Sequence, residues 1–395
     1  MKIAWIAFSL ICIIFSWFLG YRSRQREHIP LKSKSTLPRD YLIGLNFLLN
    51  EETDKAVDIF IKMLTVDSDT VETHLAVGKL FRKRGEVDRA IRIHQNLIAR
   101  PQLEKIYREQ SLFELGQDYL SAGMLDRAEK IFLELVTEKS HLSQALRILI
   151  DIYQQEKEWE KAIQVAVKYE IATRKNMQPI IAHYYCELAD HAYHHGEMEN
   201  ARSFLEKASH ADPACVRANL LLAKIHMGQH NYKLALTHLK KIKNQDPNYL
   251  SEALELLASC YEALNQEEQL IEYFKKLVDE YPHIPIVLIL AERIRHWSGD
   301  NVAAGFVADY IRRYPSLRGL YLFVNLYSSS VEGRVKEDLH ILQNLMKKVL
   351  ANKLDYQCTA CGFSGKMLHW HCPGCKQWST MLPMHAIEQG AGGSR

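Results

Sequence analysis

Four residues near the carboxyl end have the type and spacing to do chemistry: Cys358-Thr-Ala-Cys361 and, after ten intervening residues, Cys372-Pro-Gly-Cys375. Two Cys-x-x-Cys hooks can bring four thiolates to the corners of a tetrahedron, the arrangement that holds structural Zn²⁺ or a single iron. The expected cofactor is therefore one metal ion, iron or zinc, in a site made of Cys358, Cys361, Cys372 and Cys375. His369 and His371 lie between the hooks, but four cysteines already complete a tetrahedral shell. The other cysteines, Cys12, Cys186, Cys215 and Cys260, stand singly and make no disulfide framework. They read as small apolar side chains.

Such hooks need short elements to aim them. Each turn points backbone N–H groups at sulfur, and the residue after its second cysteine must tolerate unusual dihedrals. Gly362 suits that place; Lys376 holds it in the second hook and is a departure. Alternating patterns predict strands over Lys366 to His371 and Gln377 to Leu382, with Trp370 and Trp378 shielding the metal. A module of this size, 354–383, has no core of its own and should be unfolded without metal. The segment 384–395, ending Gly-Ala-Gly-Gly-Ser-Arg, reads as a disordered tail.

Upstream of the module the chain repeats itself. Gly44 recurs as Gly78; Phe47 as Phe81, and Tyr119 as Tyr153; Ala56 as Ala90, and Ala128 as Ala162, each pair 34 residues apart. Further on, the same step links Ala189 to Ala223, Ala201 to Ala235 and Pro213 to Pro247. That period marks tetratricopeptide repeats, helical hairpins whose small residues sit where two helices cross. Gly123 and Gly196 fall at turns, and Asp212-Pro213, Asp246-Pro247, Tyr281-Pro282 and Tyr314-Pro315 close their repeats. About nine hairpins are expected over 37–351. The ninth is degenerate, with Leu320, Leu326, Leu339, Leu342, Leu345 and Val349 at helical spacing, as a capping unit would be. Stacked hairpins share one core, and their first helices line a concave wall suited to binding other proteins.

Ile3 to Leu19 carries no charge and is apolar all round. With Gly20 and Tyr21 it makes a helix able to cross the ~30 Å hydrocarbon core, so 1–21 reads as a transmembrane anchor. Arg22, Arg24 and Arg26 follow it in a basic juxtamembrane linker, 22–36, which places the carboxyl-terminal bulk in the cytoplasm. Thiolate ligation fits that reducing side. A net charge of +3 from 50 basic and 47 acidic residues argues for no nucleic-acid partner. Within the array there is no Gly-x4-Gly-Lys-Ser/Thr, no His-Glu-x-x-His and no Gly-x-Ser-x-Gly, so no enzyme is expected. His191, His194 and His195 read as a solvated helix end, and so do Arg82, Lys83 and Arg84. The fold class is all-α: a tetratricopeptide superhelix with an amino-terminal transmembrane helix and a small carboxyl-terminal β module of the rubredoxin or zinc-ribbon kind.

Anchor, repeats and the closing run Trp370-His371-Cys372-Pro373-Gly374-Cys375-Lys376-Gln377-Trp378-Ser379-Thr380 together resemble the lipopolysaccharide assembly protein B family. The resemblance implies a single-pass inner-membrane adaptor of Gram-negative bacteria, with a rubredoxin-like module whose metal ligands fall on Cys358, Cys361, Cys372 and Cys375. It implies that the adaptor works with the protease FtsH to control degradation of LpxC, the deacetylase that commits carbon to lipid A. It also implies that other lipopolysaccharide synthesis proteins are gathered at the inner membrane, and it leaves a homodimer open. The alternative is a redox protein, passing electrons or sensing oxidants through a four-thiolate iron. The short separation between hooks and Lys376 both depart from free rubredoxins and favour a structural metal.

Overall fold

The computed structural model describes residues 39–49, 55–56, 59, 71–329, 331–351 and 354–384. The expected anchor, the linker, most of the first repeat and nearly all of the tail lie outside these residues. Among the described residues no helix is long and apolar enough to cross a membrane. The chain divides into two compact units, Met1–Ile131 and Phe132–Arg395.

The first unit holds α1 (Arg39–Leu49), α2 (Val71–Lys83), α3 (Val87–Ile98), α4 (Lys105–Ser121) and the start of α5 (Leu125–Thr137). Small residues sit at the helix crossings, as the repeat requires. A Cβ on Gly78 would come within 2.4 Å of His94 Nε2, so α2 and α3 meet at a distance that excludes any larger residue. Ala56, Ala90 and Ala128 are fully buried.

One basic run is not the wet helix end expected. Lys83 and Arg84 are exposed, but Arg82 turns inward and donates to Glu114 Oε2 at 2.6 Å and to Asp118 Oδ1 at 2.7 Å. Lys79 adds a 2.8 Å ion pair to Glu114, and His94 Nδ1 meets the second oxygen of Asp118. Both carboxylates are buried. Burial opposes ionisation of Glu114, yet the hydrogen bonds from Lys79 and Arg82 outweigh it and hold the carboxyl below its usual range. Arg82 turns inward because a buried carboxylate pair on α4 needs a counter-charge, and the guanidinium fork offers two parallel donors.

The second unit continues the hairpins: α6 (Leu142–Glu156) with α7 (Trp159–Thr173), α8 (Gln178–His194) with α9 (Met198–Ala211), and α10 (Val216–Gly228) with α11 (Tyr232–Gln245). A 3₁₀ turn, Pro247–Tyr249, leads into α12 (Ser251–Ala263) with α13 (Glu267–Glu280), α14 (Ile284–Ser298) with α15 (Asp300–Arg313), and α16 (Leu317–Ser328) with α17 (Arg334–Ala351). Ala162, Ala201, Ala223, Ala235 and Ala291 are fully buried, and Ala189 and Ala258 nearly so. Cys186, Cys215 and Cys260 are buried core residues, with the first two sulfurs 3.9 Å apart. His191 and His195 are exposed and stack on each other at 4.2 Å at the end of α8, the solvated end expected.

The last hairpin leaves much of its apolar stripe uncovered. Leu326 is buried, but Leu320, Leu342, Leu345 and Val349 are exposed. No further repeat stacks on α17 among the described residues, so periodicity alone could not tell a covered face from an open one.

The module closes the unit. Strands β1 (Tyr356–Cys358), β2 (Ser364–Gly365) and β3 (Met381–Pro383) form an antiparallel sheet in the order β2-β1-β3. Of the strands expected over Lys366 to His371 and Gln377 to Leu382, only the end of the second forms, as part of β3; elsewhere a single bridge, His371 to Trp378, joins the two stretches. Their alternation has another cause, since Leu368, Trp370 and Leu382 turn toward the helical core and pack on it.

Candidate functional site

The four thiols converge. Their Sγ atoms lie within 4.8 Å of one another, with Cys358 to Cys375 and Cys361 to Cys372 each at 3.7 Å. A tetrahedron of sulfurs ~2.3 Å from a central metal has edges of ~3.8 Å, so the spacing fits a metal and is far too long for disulfides of ~2.05 Å. Among the described residues this is the one cluster of His, Cys, Asp or Glu side chains able to hold a metal ion. Cys358 and Cys372 are buried, Cys375 is half-buried and Cys361 is exposed. Met381, Tyr356 and Leu368 pack around the buried pair.

The two hooks are built alike. In the first, Gly362 N–H donates to Cys358 C=O at 2.9 Å; in the second, Lys376 N–H donates to Cys372 C=O at 2.9 Å. Gly362 has φ of +76° and Lys376 has φ of +58°, so both occupy the left-handed region. A non-glycine residue pays about 1–2 kcal/mol there, which the closed hook offsets. The departure at Lys376 therefore leaves the geometry unchanged.

Four converging negative charges would repel one another. Burial opposes the Cys358 thiolate, but Thr380 Oγ1, 3.3 Å away, and the N–H groups of Cys361 and Ala360 bring its pKa down to about 6. For Cys361 the Phe363 N–H favours the thiolate, yet the neighbouring thiols push it up to about 11. A bound divalent ion removes that conflict, because it is the positive charge that four converging thiolates lack.

Sequence reasoning placed the two tryptophans as a shield for the metal, and the structure corrects this. Trp378 faces the hairpins: its Nε1–H donates to Gln154 Oε1 at 2.8 Å. Its ring stacks on His183 at 5.0 Å and meets Tyr184 and Trp159 edge-on at 5.8 and 6.1 Å. Trp370 packs on His183 and on Tyr249, at 5.9 and 5.0 Å. For Trp378 the reason includes its indole N–H, which when buried needs an acceptor and finds the amide oxygen of Gln154.

Polar contacts complete this dock. Ser379 has φ of +53°, and its Oγ lies 2.6 Å from His183 Nε2 while its carbonyl accepts from Tyr249 O–H at 3.3 Å. Tyr356 O–H donates to Glu252 Oε1 at 2.8 Å, and Arg318 pairs with Asp355. Burial, then Arg217 and His371, lower the His183 pKa to about 3, so the imidazole is neutral. His371 stacks on Trp378 at 4.6 Å and its Nε2 lies 2.9 Å from Lys376 O; it stands beside the metal cluster as a packing residue. The module thus grips α6, α8, the 3₁₀ turn, α12 and α16, mostly the first helices of their hairpins. Sequence reasoning missed Gln154, His183 and Tyr249, whose partners lie 130 to 224 residues away.

Comparison with known proteins agrees with this architecture. Residues 356–383 match the family described as rubredoxin metal binding domain. Residues 73–108, 192–260 and 252–283 match tetratricopeptide repeat families. The chain is 36% identical over 379 residues to lipopolysaccharide assembly protein B of Escherichia coli, covering 96% of this chain and 97% of that one. It is 34% identical over 386 residues to the protein of the same name from Haemophilus influenzae, covering 95% and 96%. With the repeats, the four-thiol module and near full-length similarity in hand, the chain belongs to the lipopolysaccharide assembly protein B family.

Proposed function

We propose that this chain is a membrane-tethered adaptor of lipopolysaccharide assembly that binds other proteins and catalyses no reaction itself. The observation that carries the reading is the dock: the module ties five separate elements of the array into one unit, which suits a rigid binding platform. Cys358, Cys361, Cys372 and Cys375 hold one metal ion, zinc or iron, whose task is to keep the module folded against the hairpins. When bound, that ion supplies the charge that keeps four thiolates together.

The family points to the finer reading, in which the adaptor presents LpxC to FtsH and thereby sets the rate of lipid A synthesis. The apolar run Ile3 to Leu19, followed by Arg22, Arg24 and Arg26, supports a single-pass inner-membrane anchor with the array in the cytoplasm. Tethering raises the effective concentration of client near a membrane protease without any new contact. The relatives carry a name drawn from lipopolysaccharide assembly, so the redox alternative is not favoured.

The test is a cell lacking its own copy of the gene, complemented with the wild type or with Cys372→Ser/Cys375→Ser. The expected outcome is that the variant protein purifies without metal and that LpxC turnover slows. Normal LpxC turnover with a demonstrably metal-free module would refute the role assigned to the module. Wild type and empty vector giving the same LpxC turnover would refute the finer reading itself.

A further inference from the structure

Two neighbouring cavities open beside the dock. One, of about 150 Å³, lies between α8 and α10 and is walled by Leu205, Leu221 and Ile225 under Tyr193. The other, of about 290 Å³, continues along α10 toward the module and ends at Leu368 and Trp370. Asp190, Leu221 and Lys224 line both, so the two form one path across the first-helix face. The smaller cavity is apolar and takes a group of about benzene size. The larger carries charge.

Which charge is available decides the ligand. Arg217 is half of a 2.7 Å pair with Glu187 and is almost fully buried. Glu252 accepts from Tyr356. Lys224 is exposed and makes no ion pair among the described residues. Two cations and two carboxylates line the larger cavity, Arg217 and Lys224 against Asp190 and Glu252. That balance does not concentrate phosphate, so it disfavours nucleic acid and lipid headgroups, which call for clustered cations. It suits an extended peptide, whose backbone N–H groups need acceptors such as Asp190 and whose side chains can be matched one at a time.

The geometry points to a peptide site shared by α8, α10 and the metal module. It takes an extended segment of a client protein that offers one carboxylate to Lys224 and one leucine-sized side chain to the cavity under Tyr193. This deepens the adaptor reading and rests on it. Its distinctive claim is that Leu368 and Trp370 form a wall of the site, so metal loading governs client binding through the fold of the module.

The experiment uses the full metal-loaded chain and an immobilised library of randomised decapeptides with both ends blocked, so that any selected carboxylate is a side chain. The expected selection is Asp or Glu beside Leu, Ile, Met or Phe. Lys224→Glu, at an exposed position and with an unchanged circular dichroism spectrum as its folding control, should turn the acidic preference into one for Lys or Arg. It should also weaken the best acidic peptide by about tenfold, the scale of a lost and reversed ion contact. Chelating the metal should lower affinity for the same peptide by at least as much. An unchanged acidic selection by Lys224→Glu, no selection by the wild type, or full affinity after metal removal would each overturn the site. Displacement of the peptide by phosphatidylglycerol vesicles would overturn the choice of a peptide. Failure here alongside normal complementation in cells refutes this pocket alone and leaves the adaptor reading standing.

Discussion

Arg82 reaches Glu114 and Asp118, 32 and 36 residues further along the chain, whereas Trp378 reaches Gln154 across 224 residues. The first contact is one between neighbouring repeats, the ordinary currency of a solenoid, in which each unit touches only the next. It is made of ions in a dry place, and its strength lies in the penalty for removing one member. The second breaks the solenoid rule. A single small module contacts helices from well-separated repeats through stacked rings and a few hydrogen bonds, and a unit too small for a core of its own is expected to depend on its metal to stay folded. A nearest-neighbour network fails locally. A long-range tie fails all at once, which makes the metal the place where many repeats can be loosened together.

Removing the metal should give the largest effect. Chelation, or Cys372→Ser/Cys375→Ser, is expected to unfold the module, shift the Trp370 and Trp378 emission to the red, and split one unfolding transition of the second unit into two or more. Retention of a single transition in the metal-free protein would break the comparison. Next comes Arg82→Ala, which strands two buried carboxylates and should lower stability by about 3–5 kcal/mol, read in urea as an earlier transition with the module still docked. Trp378→Ala removes the stack on His183 and the bond to Gln154. Because Trp378 is only half-buried, about 2–3 kcal/mol is expected, below the ~3–5 of a fully buried aromatic, with metal content unchanged.

Acid should separate the two regions more gently. His183 is held neutral with its pKa lowered to about 3, while in the unfolded chain it titrates near ~6.5. The unfolded state therefore takes up the proton first. The stability of the dock is complete above about pH 6.5 and declines by about 1.4 kcal/mol per unit as pH falls toward the folded value, about 2 kcal/mol by pH 5. His183→Gln should flatten that slope, measured by urea midpoints with metal content checked at each pH. The smallest change is Arg318→Ala: its pair with Asp355 is more than a third exposed on both sides, and surface pairs contribute under about 1 kcal/mol.

Much of the array was legible from spacing because repeats obey short-range rules. Gly78, Ala90, Ala162 and Ala235 each follow an equivalent small residue by 34 positions, and each is small for the same local reason: two helix axes cross there. The four cysteines were equally plain, since two hooks close over a few residues and need only their own turns. Arg82 was misjudged because a basic run at a helix end looks the same whether its partner is water or a carboxylate on the next hairpin. Whether Leu342, Leu345 and Val349 would be covered was not legible, because helical spacing reports an apolar face and says nothing of what covers it.

The residue order by itself determined that this chain repeats a helical hairpin and ends in a four-thiolate hook pair, both consequences of contacts within some 35 residues. Only the tertiary structure decided where the module lies, that its tryptophans face Gln154, His183 and Tyr249, and which cavities open beside Lys224. Those outcomes depend on surfaces that meet after the hairpins have stacked, and no local pattern encodes the distance or direction between them.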